Sequence, residues 1–318
     1  MKCLVTGAAG FIGSHLCERL LHDGHAVVGL DAFIPFYPRP VKEANLTGFR
    51  DHPRFTWQAL DLRRDDLTPA LDGVEAVFHL AAMPGLPKSW TEFDLYESCN
   101  ITATFRLLEA LRGRLGAASG SRTSAPRLLY VSTSSVYGRY SSGDETLPTR
   151  PISPYGVTKL AGENLCRAFA EEHGLPLVVL RYFSVYGPRQ RPDMGYYRFI
   201  RATLDGTPVT VFGDGLQMRG NTYVDDCVTA TVAAVGAPLG ETYNVGGGET
   251  ASVWDVLAKL ARIIGRKPAL VRQPARPGDQ RYTTADTTKL WRHLGWQPRV
   301  GLDEGLARQV DWQRSYTG

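Results

Sequence analysis

Short apolar runs alternate with longer amphipathic stretches through the first half of the chain. Runs at 2–6, 26–31, 55–59, 76–80, 127–132 and 177–181 read as strands, rich in aliphatic and aromatic residues and bounded by turn formers. Apolar positions recur at helical spacing at 12–22, 101–111 and 155–172. Strands and helices in this alternation build an α/β fold, a parallel sheet covered by helices on both faces. The second half is less regular and richer in Pro, Gly and Arg, with further helical stretches at 253–264 and 302–314. The pattern divides the chain into residues 1–181 and a smaller C-terminal lobe, 182–318, with a return to the sheet near 221–234.

Composition narrows the class. The 318 residues are 43% hydrophobic and 21% charged, enough for a bilobed protein with a real core. No apolar run approaches the ~20 residues of a membrane span. Met1 leads straight into the first strand, so no signal peptide is expected and a cytoplasmic protein is the reading. The five cysteines (Cys3, Cys17, Cys99, Cys166, Cys227) are scattered without CxxC spacing. They read as buried thiols of a reducing compartment, not as a disulfide frame or a metal site. The net charge of +4 is mild, and part of it falls in 112–127, a Gly-, Ala- and Ser-rich stretch that reads as a surface loop. A basic stripe with aromatic stacking partners is missing, which argues against nucleic acid and for arginines gathered around a small anion.

Gly7-Ala8-Ala9-Gly10-Phe11-Ile12-Gly13 sits directly after the first strand and before the first helix. Glycines there permit a tight turn, let backbone approach a pyrophosphate and let helix pack on strand, as in a Rossmann-type doubly wound sheet. The helix N-terminus offers free N–H groups and a positive dipole end to the phosphates. Asp31 closes the second strand about 20 residues further on, where a carboxylate binds the adenine ribose and repels the extra phosphate of NADP. NAD is therefore the expected cofactor. Asp61 and Leu62 either flank the adenine or form a solvated turn, and Leu80, Ala81 and Ala82 follow the fourth strand where small residues suit close contact.

Tyr155 and Lys159 stand four residues apart on one helix face. An ammonium beside a phenol lowers its pKa, which makes the tyrosine a base near neutral pH, and lysine is also suited to hold the nicotinamide ribose. The spacing alone recurs by chance. Here it accompanies the glycine turn, Asp31 and a hydroxyl run, Ser132-Thr133-Ser134-Ser135, after the fifth strand. Thr133 is the expected partner of the substrate hydroxyl being oxidised.

These residues, with GAAGFIG at 7–13, HLAA at 79–82, STSSVYG at 132–138, YGVTK at 155–159, RYFSVYGPRQRPDM at 181–194, FGDG at 212–215, YVDD at 223–226, YNVGGG at 243–248 and RPGD at 276–279, carry a resemblance. The chain resembles the extended short-chain dehydrogenases/reductases of the nucleotide-sugar epimerase and dehydratase family over essentially its full length. The resemblance implies an NAD that is reduced and reoxidised within one cycle, a C-terminal lobe for a nucleoside diphosphate sugar, and a homodimer built from two helices per subunit. It assigns Asn100 and Tyr182 to the cofactor and Gly85 to the sugar. Arg219 and Arg276 fall at diphosphate positions and Asp279 at a ribose position; surface ion pairs are their alternative. Gly220-Asn221 departs from the acid and aromatic that relatives carry, which weakens Arg219 as a match.

The residues after Thr133 bear on the reaction. Family dehydratases resemble Thr-Asp-Glu there and decarboxylases of UDP-glucuronate resemble Thr-Ser-Glu, whereas this chain has Ser134 and Ser135. Epimerisation remains. Galactose-type epimerases carry asparagine where this chain has Ser184, and Arg191-Pro192-Asp193-Met194 together with Asp31-Ala32-Phe33, Phe36-Tyr37 and Lys42 resemble UDP-glucuronate 4-epimerases. A carboxylate only accepts hydrogen bonds, so Thr133, Ser134, Ser135 and Ser184 are suitable neighbours for a uronate. Arg191 either adds charge-assisted binding or caps a helix or loop, and Lys88 either approaches the sugar or lies in solvent. The alternatives are a UDP-glucose or UDP-N-acetylglucosamine 4-epimerase, a UDP-glucuronate decarboxylase and, in another class, an NAD-sensing regulatory protein. The last tends to lose the Tyr–Lys pair.

Overall fold

The six apolar runs form neighbouring parallel strands in a computed structural model that describes residues 1–117 and 126–316. A seventh joins them. The sheet runs Thr242–Val245, Leu177–Tyr182, Arg127–Thr133, Ala76–His79, Lys2–Thr6, Ala26–Leu30, Phe55–Gln58, every pair parallel. Its central strands are continuous apolar runs because both faces are covered: Leu128, Leu129 and Tyr130 are fully buried, as are Val178, Val179 and Leu180. Strand order reverses between Lys2–Thr6 and Ala76–His79, and the crevice opened there beyond the strand ends is where such sheets bind ligands. No described helix is long and apolar enough to cross a membrane. All five cysteines are buried and free.

Local chemistry explains the element that matters most. Ser153 caps the helix Pro154–His173, its Oγ accepting the Gly156 N–H at 3.1 Å, with proline in the first turn where its missing N–H is harmless. The helix stops at Gly174, which takes a left-handed φ of 69°. Tyr155 is thereby held in the first helical turn.

Two expectations need correction. The segment near 221–234 does not supply a main-sheet strand: it forms the short strand Thr222–Tyr223 and the helix Val224–Ala233, packed beside the helix Phe11–His22. The sheet strand is Thr242–Val245, whose Thr-Tyr-Asn-Val is too short and too polar for its pattern to stand out. The loop expected at 112–127 is helical through Ala117, the end of Ala103–Ala117, and Arg127 opens the fifth strand. Gly113 is tolerated inside that helix, and residues 118–125 lie outside the described ones.

The second half builds a smaller sheet in which Met218–Gly220 pairs antiparallel with Thr250–Ser252 and parallel with Tyr282–Ala285. Tyr140–Gly143, from the first half, completes it beside Tyr282–Ala285. Val209–Phe212 pairs separately with Leu270–Gln273.

Candidate active site

Two cavities, of about 340 and 450 Å³, meet at Gly85, Ser184, Val185, Arg191 and Met194. The first follows the strand ends at the switch point. It brings together the glycine turn (Gly7, Gly10, Phe11, Ile12, Gly13), Asp31, Asp61, Leu62, Leu80, Ala81, Ala82, Thr133, Tyr155, Lys159 and Tyr182, all residues that the sequence singles out.

The glycine turn fits a dinucleotide. Gly7 has a φ of +73°, and a Cβ on Gly13 would stand 2.1 Å from the Gly7 carbonyl oxygen. Gly7 N–H and Ala8 N–H both donate to Leu30 O, at 2.7 and 3.0 Å, so the turn is tied to the second strand. No side chain caps the helix Phe11–His22, which leaves its first N–H groups open to phosphate oxygens. Asp31 lines the far end, with Oδ1 accepting the Phe33 N–H at 2.8 Å and lying 3.8 Å from Lys42 Nζ. Asp61 is buried and not a solvated turn acid. Its oxygens accept from Arg63 Nε and Nη2 at 3.0 and 2.8 Å, and that hydrogen bonding holds its carboxyl below the usual range.

Behind the cavity a polar chain crosses the switch point. Ala81 N–H donates to Thr6 Oγ1 at 3.1 Å, Thr6 Oγ1 lies 2.8 Å from His79 Nδ1, and His79 Nε2 lies 3.0 Å from Thr104 Oγ1. Burial pushes His79 down to about 3, with the Lys159 charge adding to it, so the ring is neutral. Asn100 belongs to this layer and does not reach the cavity, contrary to its assignment to the cofactor. Wholly buried in the π-helical turn Ser98–Thr102, it accepts the Met83 N–H at 2.6 Å and donates to Met83 O and Thr158 Oγ1 at 3.1 and 3.0 Å. It fastens the Ala81–Met83 loop to the catalytic helix.

Thr133, Tyr155 and Lys159 line one wall. Burial raises the Tyr155 phenol, and hydrogen bonding to Thr133 and the Arg191 charge oppose that rise. The Lys159 ammonium stands over the Tyr130 ring, 4.4 Å from the centroid. Ser134 and Ser135 do not line the cavity either, contrary to the expected hydroxyl run. They start the one-turn helix Ser134–Tyr137, where Ser134 Oγ donates to Gln280 Oε1 at 3.4 Å and Ser135 N–H donates to Thr133 Oγ1 at 3.2 Å.

Burial lowers Lys159 from 10.5 to about 8, with neighbouring Cys166 and Glu163 opposing the shift. A buried ammonium without a hydrogen-bond partner among the described residues opposes folding. The unfolded chain holds the proton more tightly, so this destabilisation is complete below about pH 8 and fades as pH approaches 10.5. Lys159→Met is expected to stabilise the fold at pH 7 by roughly 1–3 kcal/mol while abolishing activity. Urea unfolding of the cofactor-free protein measures it; a destabilised variant would mean that the ammonium is well held.

The second cavity brings together Gly85, Ser184, Arg191, Arg219, Arg276 and Asp279. Arg219 Nη2 donates to Asp279 Oδ1 at 2.8 Å, and Arg276 lies 3.4 Å from the Phe212 ring centroid. Arg191 forms a two-pronged pair with Asp193, at 2.9 and 3.0 Å, rather than a helix cap. Lys88 is half-exposed, pairs with Glu92 at 3.7 Å and sits 4.8 Å above the Phe36 ring. Sequence reasoning passed over Tyr196, Arg198, Phe199 and Phe212 in this cavity, whose spacing on a strand and a helix looks like ordinary packing. It also passed over Arg63 and Met83 in the first.

A family model described as the NAD dependent epimerase/dehydratase family matches residues 3–246. An uncharacterised UDP-glucose epimerase of Bacillus subtilis is 45% identical over 99% of this chain and 98% of its own length. A UDP-glucuronate 4-epimerase of Thermodesulfobacterium geofontis is 35% identical over 98% of this chain and 95% of its own. Among solved structures, UDP-glucuronic acid 4-epimerase from Bacillus cereus, in complex with UDP-glucuronic acid and NAD, is 42% identical with a TM-score of 0.93, covering 99% of this chain and 100% of that one. The chain belongs to the NAD-dependent epimerase/dehydratase family of nucleotide-sugar enzymes, and NAD is its cofactor.

Proposed function

We propose that the protein interconverts UDP-glucuronate and UDP-galacturonate by epimerisation at C4. The observation that carries this reading is the joint between the cavities, where Ser184 and Arg191 line both chambers and Thr133 lines the first. Hydroxyl and guanidinium donors suit a carboxylate. The catalytic residues are Thr133, Tyr155 and Lys159. Thr133 hydrogen-bonds the C4 hydroxyl while Tyr155 takes its proton, and Lys159 holds the nicotinamide ribose. NAD, held by the glycine turn, Asp31 and Lys159, would supply a reversible hydride acceptor at C4 that can serve either face of the sugar. Arg219 and Arg276 grip the diphosphate and Asp279 the ribose, so the sugar turns over about a fixed anchor.

Oxidation at C4 turns a uronate into a β-keto acid, prone to lose carbon dioxide. Donors that hold the carboxylate near the plane of the C4 carbonyl suppress that loss. Ser135 stands where decarboxylases carry glutamate, and its N–H orients Thr133 instead. A neutral-sugar reading has support too, since the Bacillus subtilis relative is named as a UDP-glucose epimerase. Proton NMR of UDP-glucuronate with enzyme and NAD separates the readings. UDP-galacturonate without carbon dioxide is expected; turnover of UDP-glucose alone overturns the uronate assignment, and a UDP-pentose product makes the enzyme a decarboxylase.

Ser184→Asn is expected to raise KM for UDP-glucuronate about tenfold more than KM for UDP-glucose, since the asparagine carbonyl faces a carboxylate poorly. Equal losses for both sugars would remove Ser184 from carboxylate recognition. We further propose a homodimer through the helices Ala103–Ala117 and Pro154–His173, which pack together and leave Phe105 and Val157 exposed.

A further inference from the structure

The strap between the strand Leu177–Tyr182 and the helix Gly195–Asp205 carries Ser184, Arg191 and Met194 into both cavities. Its backbone is strained. Ser184, Gly187 and Arg189 have φ values of 30°, 139° and 61°, and only the middle one is glycine. Non-glycine residues persist in this region only when surrounding contacts over-determine them. What holds the strap therefore decides where the sugar-facing groups stand.

On one side the strap is tied to the helix Phe11–His22, through Arg189 Nη2 to Glu18 Oε1 at 2.7 Å and His15 Nε2 to Pro188 O at 3.0 Å. On the other side it is tied to the C-terminal helix Leu302–Ser315 by two buried glutamines. Gln309 is fully buried; its Oε1 accepts the Gly187 N–H at 3.1 Å and its Nε2 donates to Gln190 Oε1 at 2.8 Å. Gln190 Oε1 also accepts the Tyr197 N–H at 2.9 Å, and its Nε2 donates to Val185 O at 3.3 Å. The amide pair thus bonds the strap from within, at Val185 and Gly187, and reaches the start of the next helix at Tyr197.

We infer that Gln309 and Gln190 are positioning residues for sugar recognition, and that the C-terminal helix sets the geometry of the Ser184–Met194 strap through them. The inference rests on assigning the second cavity to the nucleotide sugar. Removing Gln309 leaves the Gly187 N–H unpaired inside the protein, which relaxes the strap away from its left-handed conformation. Displacements of an ångström at groups that orient a substrate lower rates by about 10²-fold. The glycine turn, Asp31 and Lys159 carry no hydrogen bond from either glutamine, so the relay is expected to bear on the sugar and to leave NAD affinity unchanged.

The same helix supplies its own control. Gln313, one turn on and 1% exposed, has no hydrogen-bond partner for either side-chain polar atom among the described residues. Gln309→Leu and Gln313→Leu make the same chemical change on the same buried face, and among the described residues only Gln309 hydrogen-bonds the strap. The test measures binding of UDP-glucuronate and UDP-glucose to NAD-loaded protein by calorimetry, with kcat/KM for whichever sugar the wild type converts. The expected result is at least a tenfold loss of sugar affinity in Gln309→Leu, unchanged NAD affinity, and wild-type values in Gln313→Leu. Gln309→Met, which keeps length without hydrogen bonds, should behave like Gln309→Leu. Equal behaviour of the position-309 and position-313 variants, or a parallel loss of NAD affinity, overturns the inference as a merely structural effect. A wild type that binds neither sugar overturns the assignment of the cavity and the relay's role with it.

Discussion

Replacing Tyr155 by phenylalanine leaves a folded, NAD-binding protein whose turnover falls by about 10²–10⁴-fold. The phenol is the titratable group on the cavity wall beside Thr133, and burial raises its pKa while Thr133 and Arg191 oppose the rise. Its base form therefore fills on the alkaline side, so the kcat/KM of NAD-loaded wild type climbs with pH. The phenylalanine variant should lose that rise and show a flat, low profile. Phenylalanine keeps the edge-to-face contact with Tyr96, whose ring centroid is 6.3 Å away, so stability and sugar affinity stay near wild type. Stopped-flow turnover across pH with calorimetric binding of NAD and UDP-sugar checks each part. A variant that retains more than about a tenth of wild-type activity with its pH dependence intact would assign the proton transfer to another group. A regulatory protein would instead retain every NAD-dependent interaction and have no turnover to lose.

Groups that act through local spacing were legible in the sequence. The glycine turn, Asp31 and the Tyr155–Lys159 pair each follow from a short segment bounded by a strand and a helix, and all line the cavity. Groups that act through tertiary partners were not. Asn100 lies in a segment that looks like any amphipathic helix, and only the fold shows it bonded to Met83 and Thr158 rather than to cofactor. The hydroxyl run after the fifth strand was readable as a run. That Ser134 and Ser135 turn away, in the one-turn helix Ser134–Tyr137, depends on Gln280, a residue 146 positions along the chain. The strand Thr242–Val245 fails for the same reason: the Asn244 side chain accepts from Tyr137 Oη and donates to Gly143 O and Asp286 O, and without those partners it argues against a buried strand.

Glu163→Leu is expected to destabilise the protein by about 3–5 kcal/mol, the largest stability loss of any single side-chain change near the site. Glu163 is fully buried one helical turn beyond Lys159. Its oxygens accept from Arg181 Nε and Nη2 at 3.0 and 2.8 Å and from Ser132 Oγ at 2.5 Å. Arg181 Nη1 donates in turn to Tyr137 Oη at 2.8 Å, and Tyr137 Oη donates to Asn244 Oδ1 at 2.7 Å. This chain of bonds fastens the catalytic helix to three neighbouring strands of the sheet, Arg127–Thr133, Leu177–Tyr182 and Thr242–Val245. Removing the carboxylate leaves a buried guanidinium without its counter-ion, whereas removing both charges leaves an apolar contact. Glu163→Leu combined with Arg181→Met should therefore recover most of the stability, giving a strongly non-additive cycle in urea unfolding. Function need not recover with it. The Glu163 charge supports the Lys159 ammonium, so its loss shifts Lys159 further toward the neutral form. The double variant is expected to be stable yet need higher proton activity to keep that lysine charged, moving the pH dependence of NAD binding downward. Additive single losses with an unmoved pH profile would mean that Glu163 and Arg181 contribute to stability separately and leave Lys159 untouched.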